Sequence, residues 1–267
     1  MCRHLAYLGP PVTLGALLFD PPYSLARQSW APRDMRGGGT INADGFGVGW
    51  YPAEPTPGQR REPGPATSAS RGAGEPVRYR RATPLWSDPA LPQLAAVTSS
   101  GAVLAAVRSA TVGMPVTETA AAPFAEGRWL FSHNGVVRGW PDSTVPLAAR
   151  LPVRDLLTLD APTDAALLWA LVRDRLRAGA DPATAIAATT AEVEAAAPGS
   201  RLNLLLTDGR TVVATTAGHA LSLRVMPEAV LVASEPLDDD PAWRSVPDGQ
   251  LVVGTSAGVR THSLVKA

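Results

Sequence analysis

The chain begins Met1-Cys2-Arg3-His4, and the interpretation of the remaining sequence depends on this stretch. Cys2 is the only cysteine among 267 residues, and it directly follows the initiator methionine. A cysteine side chain is small enough for the methionine to be removed, so we expect Cys2 to be the mature N-terminus. Such a residue combines a thiol with an α-amine whose ordinary pKa is about 7.7–8.0. Because this amine can take the thiol proton, one residue would supply both a nucleophile and its base.

The composition is that of an ordinary globular protein, with 45% hydrophobic and 18% charged residues. The formal net charge is zero, so we expect no nucleic-acid partner and no binding to an anionic membrane. A single cysteine excludes an intramolecular disulfide and a cysteine-based zinc site, and we expect neither a metal nor an organic cofactor. No apolar run approaches the roughly 20 residues of a membrane span, and the first residues lack a signal-peptide layout. The sequence therefore predicts a cytoplasmic protein with no obligate protein partner.

The first half of the chain reads as strands separated by turns. Strands are predicted at residues 2–7, 42–51, 103–107 and 129–132, with Pro10-Pro11 ending the first. Glycines alternate with bulkier residues in the second of these strands, which indicates that one of its faces lies close against another part of the protein. Residues 53–76 contain almost nothing apolar, which predicts a flexible surface loop. We expect this loop to lie within a single domain spanning residues 1–267.

The second half adds two helices and then further strands. Thr163-Asp164 opens the clearest helix, and an alanine-rich helix starts near Pro182 and ends before Pro198-Gly199. Short β segments follow at 202–206, 211–216, 220–225, 229–233, 251–254 and 259–264 and predict a meander. Asp208-Gly209 between the first two indicates a hairpin. Strands, two consecutive helices and more strands favour a layered α+β fold over alternating βαβ units.

Four separated pieces of sequence carry candidate chemistry: Cys2, Arg108, Asn134-Gly135 and Asp164. Each alone has an ordinary explanation, namely an inert thiol, a surface cation, a turn and a helix N-terminus. Together they fit a γ-glutamyl group, which ends in an α-carboxylate and an α-ammonium. Arg108 would bind the carboxylate through two parallel N–H donors, and Asp164 would pair with the ammonium. The Asn134 amide and the Gly135 N–H are suitable donors to the oxyanion formed when a thiolate attacks an amide carbonyl.

These pieces stand in an order that resembles a known family. The motifs are Cys at position 2, Asp-Gly-Phe-Gly-Val-Gly at 44–49, Arg-Ser-Ala-Thr-Val-Gly at 108–113, Ser-His-Asn-Gly at 132–135 and Thr-Asp at 163–164. Over essentially the whole chain, this set resembles the class II glutamine amidotransferase domain of the N-terminal-nucleophile hydrolases. The resemblance implies a four-layer αββα sandwich. It also implies Cys2 as nucleophile and base, Asn134 and Gly135 as the oxyanion hole, and Arg108 and Asp164 as the clamp on the glutamyl group.

Several longer stretches narrow the resemblance to the ergothioneine-pathway γ-glutamyl hydrolases of actinobacteria. They include Met-Cys-Arg-His-Leu at 1–5, Asn-Ala-Asp-Gly-Phe-Gly-Val-Gly-Trp-Tyr at 42–51 and Ala-Ser-Glu-Pro-Leu-Asp-Asp-Asp-Pro at 233–241. The implied reaction removes glutamate from γ-glutamyl-hercynylcysteine sulfoxide through a thioester on Cys2. Ser109 and Val112 replace the aromatic and the histidine found in many glutamine-using relatives, which is consistent with a bulkier leaving group. Three alternatives stay open: a glutaminase subunit that passes ammonia to a separate synthase, a hydrolase of glutathione-type peptides, and a binding module without chemistry.

Further residues carry weaker expectations. Ser109 and Thr111, within the arginine motif, are expected to contact the substrate. A trimethylammonium on the leaving group would need an aromatic face or a carboxylate, and the candidates are Trp30, Trp50, Tyr51 and Trp86. Trp50 is expected to bind substrate directly. His133 is expected to be structural rather than catalytic, and Glu235 with the acidic residues 238–240 is expected to form a solvated turn.

Overall fold

The fold is built from two antiparallel β-sheets and two groups of helices. The computed structural model describes residues 2–34, 41–53 and 74–264. Within these ranges the strands are β1 (Arg3–Thr13), β2 (Phe46–Trp50), β3 (Val77–Arg81), β4 (Ser99–Val107), β5 (Phe124–Glu126), β6 (Trp129–Val136), β7 (Arg201–Thr207), β8 (Thr211–Thr216), β9 (Ser222–Met226), β10 (Ala229–Ala233), β11 (Arg244–Ser245), β12 (Gln250–Thr255) and β13 (Gly258–Ser263). The helices are α1 (Gly15–Leu18), α2 (Leu25–Gln28), α3 (Leu91–Val97), α4 (Val145–Ala148), α5 (Val153–Leu157), α6 (Asp164–Arg177) and α7 (Pro182–Ala196).

The strand that follows Cys2 lies in the middle of its sheet. The first sheet has the order β11-β9-β10-β1-β4-β2-β3, and the second has the order β13-β12-β8-β7-β6-β5. β1 pairs antiparallel with β10 on one side and with β4 on the other. The start of β1 is therefore held by neighbours on both sides.

Three apolar clusters show how the layers stack. One cluster joins the first sheet to α1, α2 and α3, and another joins the second sheet to α6 and α7. The third lies between the two sheets and contains Ala6, Leu104, Leu205 and Val232. The layers therefore run helix, sheet, sheet, helix, which confirms the predicted α+β class and four-layer αββα sandwich. Within the described ranges, no helix is both long and apolar enough to cross a bilayer.

β1 is longer than its sequence predicts. Leu5 and Tyr7 pack towards the helices, whereas Ala6 and Leu8 pack towards the second sheet, so both faces are buried. The prediction that Pro10-Pro11 ends the strand is wrong, because β1 continues to Thr13. The pairing with β4 shifts register between Leu8 and Val12. This irregularity accommodates the two prolines, since residues in a bulge do not need to donate to the ladder.

The alternating glycines of β2 allow the strand to lie very close to a neighbouring segment of the chain. A Cβ atom added at Gly47 would lie 2.2 Å from the backbone oxygen of Ala122. The prediction that one face of this strand lies against something close is therefore confirmed. The strand itself covers only Phe46–Trp50 of the predicted 42–51.

The C-terminal strands do not form the single meander that the sequence predicts. β9, β10 and β11 belong to the first sheet, whereas β12 and β13 return to the second. Every residue of β10 is buried, which suits a strand placed between β9 and β1 rather than at a sheet edge. β3 and β5 were not predicted, and each lies at the edge of its sheet. Most of the predicted loop at 53–76 lies outside the described residues, and the single-domain assignment stays a prediction.

Candidate active site

One cavity collects most of the predicted site. Its lining includes Cys2, Arg108, Gly135 and Asp164, together with the predicted substrate contacts Ser109 and Thr111. These residues come from the start of β1, the end of β4, β6 and the start of α6. The antiparallel pairing of Arg3 with Val107 explains part of this convergence, because it places the residue before β1 beside the residue after β4.

Cys2 is half-buried, and hydrogen bonds constrain the backbone around it. Its thiol donates to the backbone oxygen of Ser109, with 3.8 Å between sulfur and oxygen. The backbone oxygen of Cys2 accepts from Arg3 Nη1 at 3.1 Å. The peptide that follows Cys2 is therefore fixed by a neighbouring guanidinium.

Arg108 presents a buried guanidinium to the cavity. Its Nη1 donates to the backbone oxygen of Pro115 at 2.8 Å, and its backbone N–H donates to Gly45 O at 2.8 Å. Asp44 holds the next turn, because its Oδ2 accepts from the N–H of Ala110 at 2.8 Å. Among the described residues, no carboxylate lies within the 4.0 Å of an ion pair with Arg108. A buried cation without a counter-charge can bind an anionic group from outside the chain.

Asp164 presents a buried carboxylate to the same cavity. Thr163 caps α6 by accepting the N–H of Ala166, so Asp164 is the first helical residue. Its Oδ1 accepts from Ala165 N at 2.7 Å and its Oδ2 from Val137 N at 3.0 Å. These donors and the helix N-terminus stabilise the negative charge. No basic side chain in the described ranges forms an ion pair with it.

Asn134 and Gly135 lie within β6, which continues through Val136 instead of ending before them. A Cβ atom at Gly135 would lie 1.8 Å from the backbone oxygen of Arg201, so only glycine fits there. Asn134 is not among the residues that line this cavity. Its side chain lies on the face of β6 that meets the first sheet, as does that of Leu130, and it reaches Ser234 next to β1. Its Nδ2 donates to Ser234 Oγ at 3.2 Å, and its buried Oδ1 has no partner among the described residues.

The histidines near the site are buried and have structural contacts. His133 Nε2 lies 2.9 Å from the backbone oxygen of Arg201, so this nitrogen must donate and cannot act as a base there. That geometry agrees with the structural role predicted for His133. His4 Nδ1 lies 3.2 Å from Ser132 Oγ. Burial, reinforced by the nearby His133, lowers the pKa of His4 to about 3, so its imidazole is neutral.

Glu235 corrects one prediction, because it is buried rather than part of a solvated turn. Its Oε1 lies 3.3 Å from Arg3 Nε, and both side chains are only 4% exposed. Its Oε2 accepts from the N–H groups of Arg33 and Asp34 at 2.7 and 2.9 Å. Sequence reasoning missed this ion pair, since the two residues meet only through the pairing of β1 with β10.

The four aromatic candidates for the leaving group do not line the cavity. Trp50 is the last residue of β2, at the opposite end of the strand from Phe46. Its ring packs in the apolar cluster that joins the first sheet to α1, α2 and α3. Trp50 therefore lies outside this cavity, and its predicted contact with substrate stays a prediction. Tyr51 donates from its hydroxyl to Arg128 O and Thr207 O at the same remote end. Trp30 and Trp86 are exposed elsewhere on the surface.

The architecture and the cavity define a class. A glutamine aminotransferase class-II domain protein from Silicibacter pomeroyi superposes with a TM-score of 0.67 at 24% identity, covering 99% of this chain and 100% of its own. At this identity the similarity establishes the fold, which is that of the class II amidotransferase domains among the N-terminal-nucleophile hydrolases. No family model matches the sequence.

Sequence relatives define the family within this class. The γ-glutamyl-hercynylcysteine sulfoxide hydrolase of Mycolicibacterium smegmatis is 41% identical over 253 residues, covering 94% of this chain and 95% of its own. The protein of the same name from Mycobacterium tuberculosis is 39% identical over 267 residues, covering 100% of this chain and 98% of its own. The chain belongs to the family of γ-glutamyl-hercynylcysteine sulfoxide hydrolases.

Proposed function

We propose that this chain hydrolyses the γ-glutamyl amide of γ-glutamyl-hercynylcysteine sulfoxide, releasing glutamate and the free amine in ergothioneine biosynthesis. The observation that carries the proposal is the cavity at Cys2. It holds a buried cation, Arg108, and a buried anion, Asp164, neither of which has a counter-charge among the described residues. A ligand with a carboxylate and an ammonium on one carbon satisfies both. Family membership supports the identity of the leaving group.

Binding would orient the substrate by its amino-acid end. Arg108 donates to the α-carboxylate, while Asp164 accepts from the α-ammonium. Both residues are already fixed by backbone hydrogen bonds, so little side-chain freedom is lost on binding. Ser109 and Thr111 line the same cavity and would contact the glutamyl chain. The γ-carbonyl then lies towards Cys2.

Acylation would use the two groups of Cys2. Its α-amine takes the thiol proton, and Sγ bonds to the γ-carbonyl carbon. The carbonyl oxygen becomes an oxyanion, which the Gly135 N–H and the Asn134 amide stabilise. As the C–N bond breaks, the α-ammonium of Cys2 returns the proton to the leaving nitrogen. A γ-glutamyl thioester and the free amine result.

Deacylation would repeat these steps with water. The α-amine takes a proton from the water as its oxygen bonds to the thioester carbon. The same donors stabilise the second oxyanion. When the C–S bond breaks, glutamate leaves and the proton returns to sulfur. Apart from water, all groups in the cycle belong to the chain or the substrate, and the proposal includes neither a metal nor an organic cofactor.

The test measures glutamate released from γ-glutamyl-hercynylcysteine sulfoxide, glutathione and glutamine by one C-terminally tagged preparation. We expect the highest kcat/KM for the sulfoxide and no turnover by Cys2→Ala. Preference for glutamine would favour a glutaminase subunit. Preference for glutathione would favour a hydrolase of glutathione-type peptides. Turnover by Cys2→Ala would refute the mechanism.

A second preparation tests the role of the amine. An N-terminal tag converts the amine of Cys2 into a peptide nitrogen, which is not basic. We expect the tagged protein to be inactive until the tag is removed, with intact mass confirming which terminus is present. A tagged protein that turns over at the native rate would assign the base elsewhere.

We also propose that the enzyme acts in the cytoplasm without an obligate protein partner, nucleic acid or membrane. A thiol nucleophile survives best in a reducing compartment, and zero net charge gives no electrostatic attraction to polyanions. Cell fractionation and the activity of the purified chain test these two statements. Recovery of activity only in the membrane fraction, or only after adding a second protein, would contradict them.

A further inference from the structure

We propose that Ser234 is a positioning residue that fixes the orientation of the Asn134 amide for oxyanion binding. The inference rests on the proposed function, because it assigns a task to Asn134 in that reaction. Ser234 lies directly after β10 and is buried. It belongs to no motif from which the catalytic residues were predicted.

The Ser234 hydroxyl makes three hydrogen bonds, and they account for its proton and both lone pairs. Its Oγ accepts from the backbone N–H of His4 at 2.9 Å and from Asn134 Nδ2 at 3.2 Å. It donates its single proton to the backbone oxygen of His4 at 3.2 Å. Because that proton is already used, the hydroxyl can only accept from Asn134.

This restriction determines which end of the amide faces Ser234. An asparagine side chain has a donor end and an acceptor end of almost the same shape, and only the donor end stabilises an oxyanion. With one N–H of Nδ2 bound to Ser234, the other has no acceptor among the described residues. The buried Oδ1 has no partner there either. One N–H of Nδ2 is therefore held by Ser234, and the other N–H of the same nitrogen is available to donate to an anion.

The same hydroxyl also links the two sheets at the level of the nucleophile. Asn134 belongs to β6 in the second sheet, and His4 belongs to β1 in the first. Ser234 N also donates to His4 O at 2.9 Å, so residue 234 is tied to β1 by its backbone as well. Cys2 is two residues from His4. Ser234 thereby sets the position of the oxyanion donor relative to the strand that carries the nucleophile.

The experiment compares hydrolysis with alkylation of Cys2. Alkylation by iodoacetamide uses the thiol but forms no oxyanion, and the chain contains no other cysteine to react. For Ser234→Ala we expect kcat for the sulfoxide substrate to fall at least about 10-fold, and by no more than the roughly 10²–10³-fold loss typical of removing an oxyanion donor altogether. We expect KM and the alkylation rate to change less than about 3-fold, because the clamp and the nucleophile are untouched.

A double-mutant cycle shows whether the effect passes through Asn134. The double variant Ser234→Ala, Asn134→Ala should have the kcat of Asn134→Ala alone, since Ser234 has nothing left to orient. If the double variant instead loses the product of the two single-variant losses in kcat, the proposal is wrong. A native kcat in Ser234→Ala would also overturn it. A parallel loss of alkylation would also overturn it by assigning the effect to Cys2.

Ser234→Thr and Ser234→Val keep the test valid if the alanine variant does not fold. The two replacements have nearly the same shape and differ in whether a hydroxyl is present. A kcat at least about 10-fold higher for Thr than for Val supports the proposal, whereas equal values overturn it. Failure of the proposed function is a different result, because the native enzyme would then release no glutamate from the sulfoxide.

Discussion

At the scale of single residues, Arg108 combines two tasks. Its Nη1 donates to the backbone oxygen of Pro115, and the residue also lines the cavity. Lysine keeps the charge but lacks two parallel N–H donors, so we expect Arg108→Lys to lower kcat/KM by about 10- to 100-fold. Steady-state hydrolysis of the sulfoxide measures this change. A native kcat/KM in the variant would show that no bidentate clamp exists.

Gly135 allows β6 to pack closely against β7. An alanine Cβ would lie 1.8 Å from Arg201 O and 2.6 Å from His133 Nε2. We expect Gly135→Ala to lower the melting temperature by several degrees and to remove activity, because the backbone must move apart. Gly15→Ala is a matched control, since the nearest atom to its Cβ would be 3.6 Å away. Equal melting temperatures for the two variants would contradict the packing.

The sequence predicted the residues that line the cavity better than those that support them. Cys2, Arg108, Gly135 and Asp164 do meet at one cavity. Glu235 was assigned to a solvated turn and Ser234 was given no role, because each contacts residues about 230 positions away. Such contacts depend on strand register, which residue types and local spacing do not determine.

At the scale of single elements, the start of α6 determines where Asp164 lies. The Thr163 hydroxyl accepts the N–H of Ala166 at 3.2 Å. We expect Thr163→Ala to lower the free energy of unfolding by about 1 kcal/mol, the usual value of such a cap. Thr163→Ser keeps the hydroxyl and serves as the control. Urea unfolding of both variants measures the difference, and equal stabilities would show that the cap contributes nothing.

The elements that the sequence predicted well are those with local signals. The second predicted helix corresponds to α7, whose N-cap Asp181 accepts from two backbone N–H groups, and β10 has the predicted bounds. The strand assignments that failed depend on distant partners. β9, β10 and β11 belong to the first sheet and β12 belongs to the second, although the four strands are consecutive in the chain. Hairpin signals show where the chain turns, but they do not show which sheet the next strand joins.

At the scale of the whole molecule, buried histidines make stability depend on pH. Burial lowers the pKa of both His4 and His219 to about 3, with the guanidinium of Arg201 contributing at His219. The unfolded chain gains these protons below about pH 6.5, whereas the folded chain does not. Their stabilising contribution is therefore complete above pH 6.5 and decreases as the pH falls towards 3. Each imidazole changes the free energy of unfolding by about 1.4 kcal/mol per pH unit in that window.

Denaturant unfolding between pH 7.5 and 5 measures this dependence. Carboxylates change the free energy of unfolding only below about pH 4.5. Glu192 is an example: burial raises its pKa, but Arg175 and Arg150 outweigh that effect and lower it. We expect His219→Gln to reduce the slope by about 1.4 kcal/mol per pH unit. His262 is exposed on β13, so His262→Gln serves as the control that replaces a histidine without changing a buried one. Identical slopes in all three proteins would contradict neutral burial of His219.

The central position of β1 has a consequence for synthesis on the ribosome. β1 is made well before its neighbour β10, because the paired residues Leu5 and Ala233 are far apart in the sequence. At about 5–20 residues per second, the partner emerges roughly 10–45 seconds later. Until then the nascent chain has Cys2 but lacks Ser234 and Glu235, which complete its surroundings. An interrupted translation product therefore contains Cys2 without these contacts, and we expect it to release no glutamate from the sulfoxide.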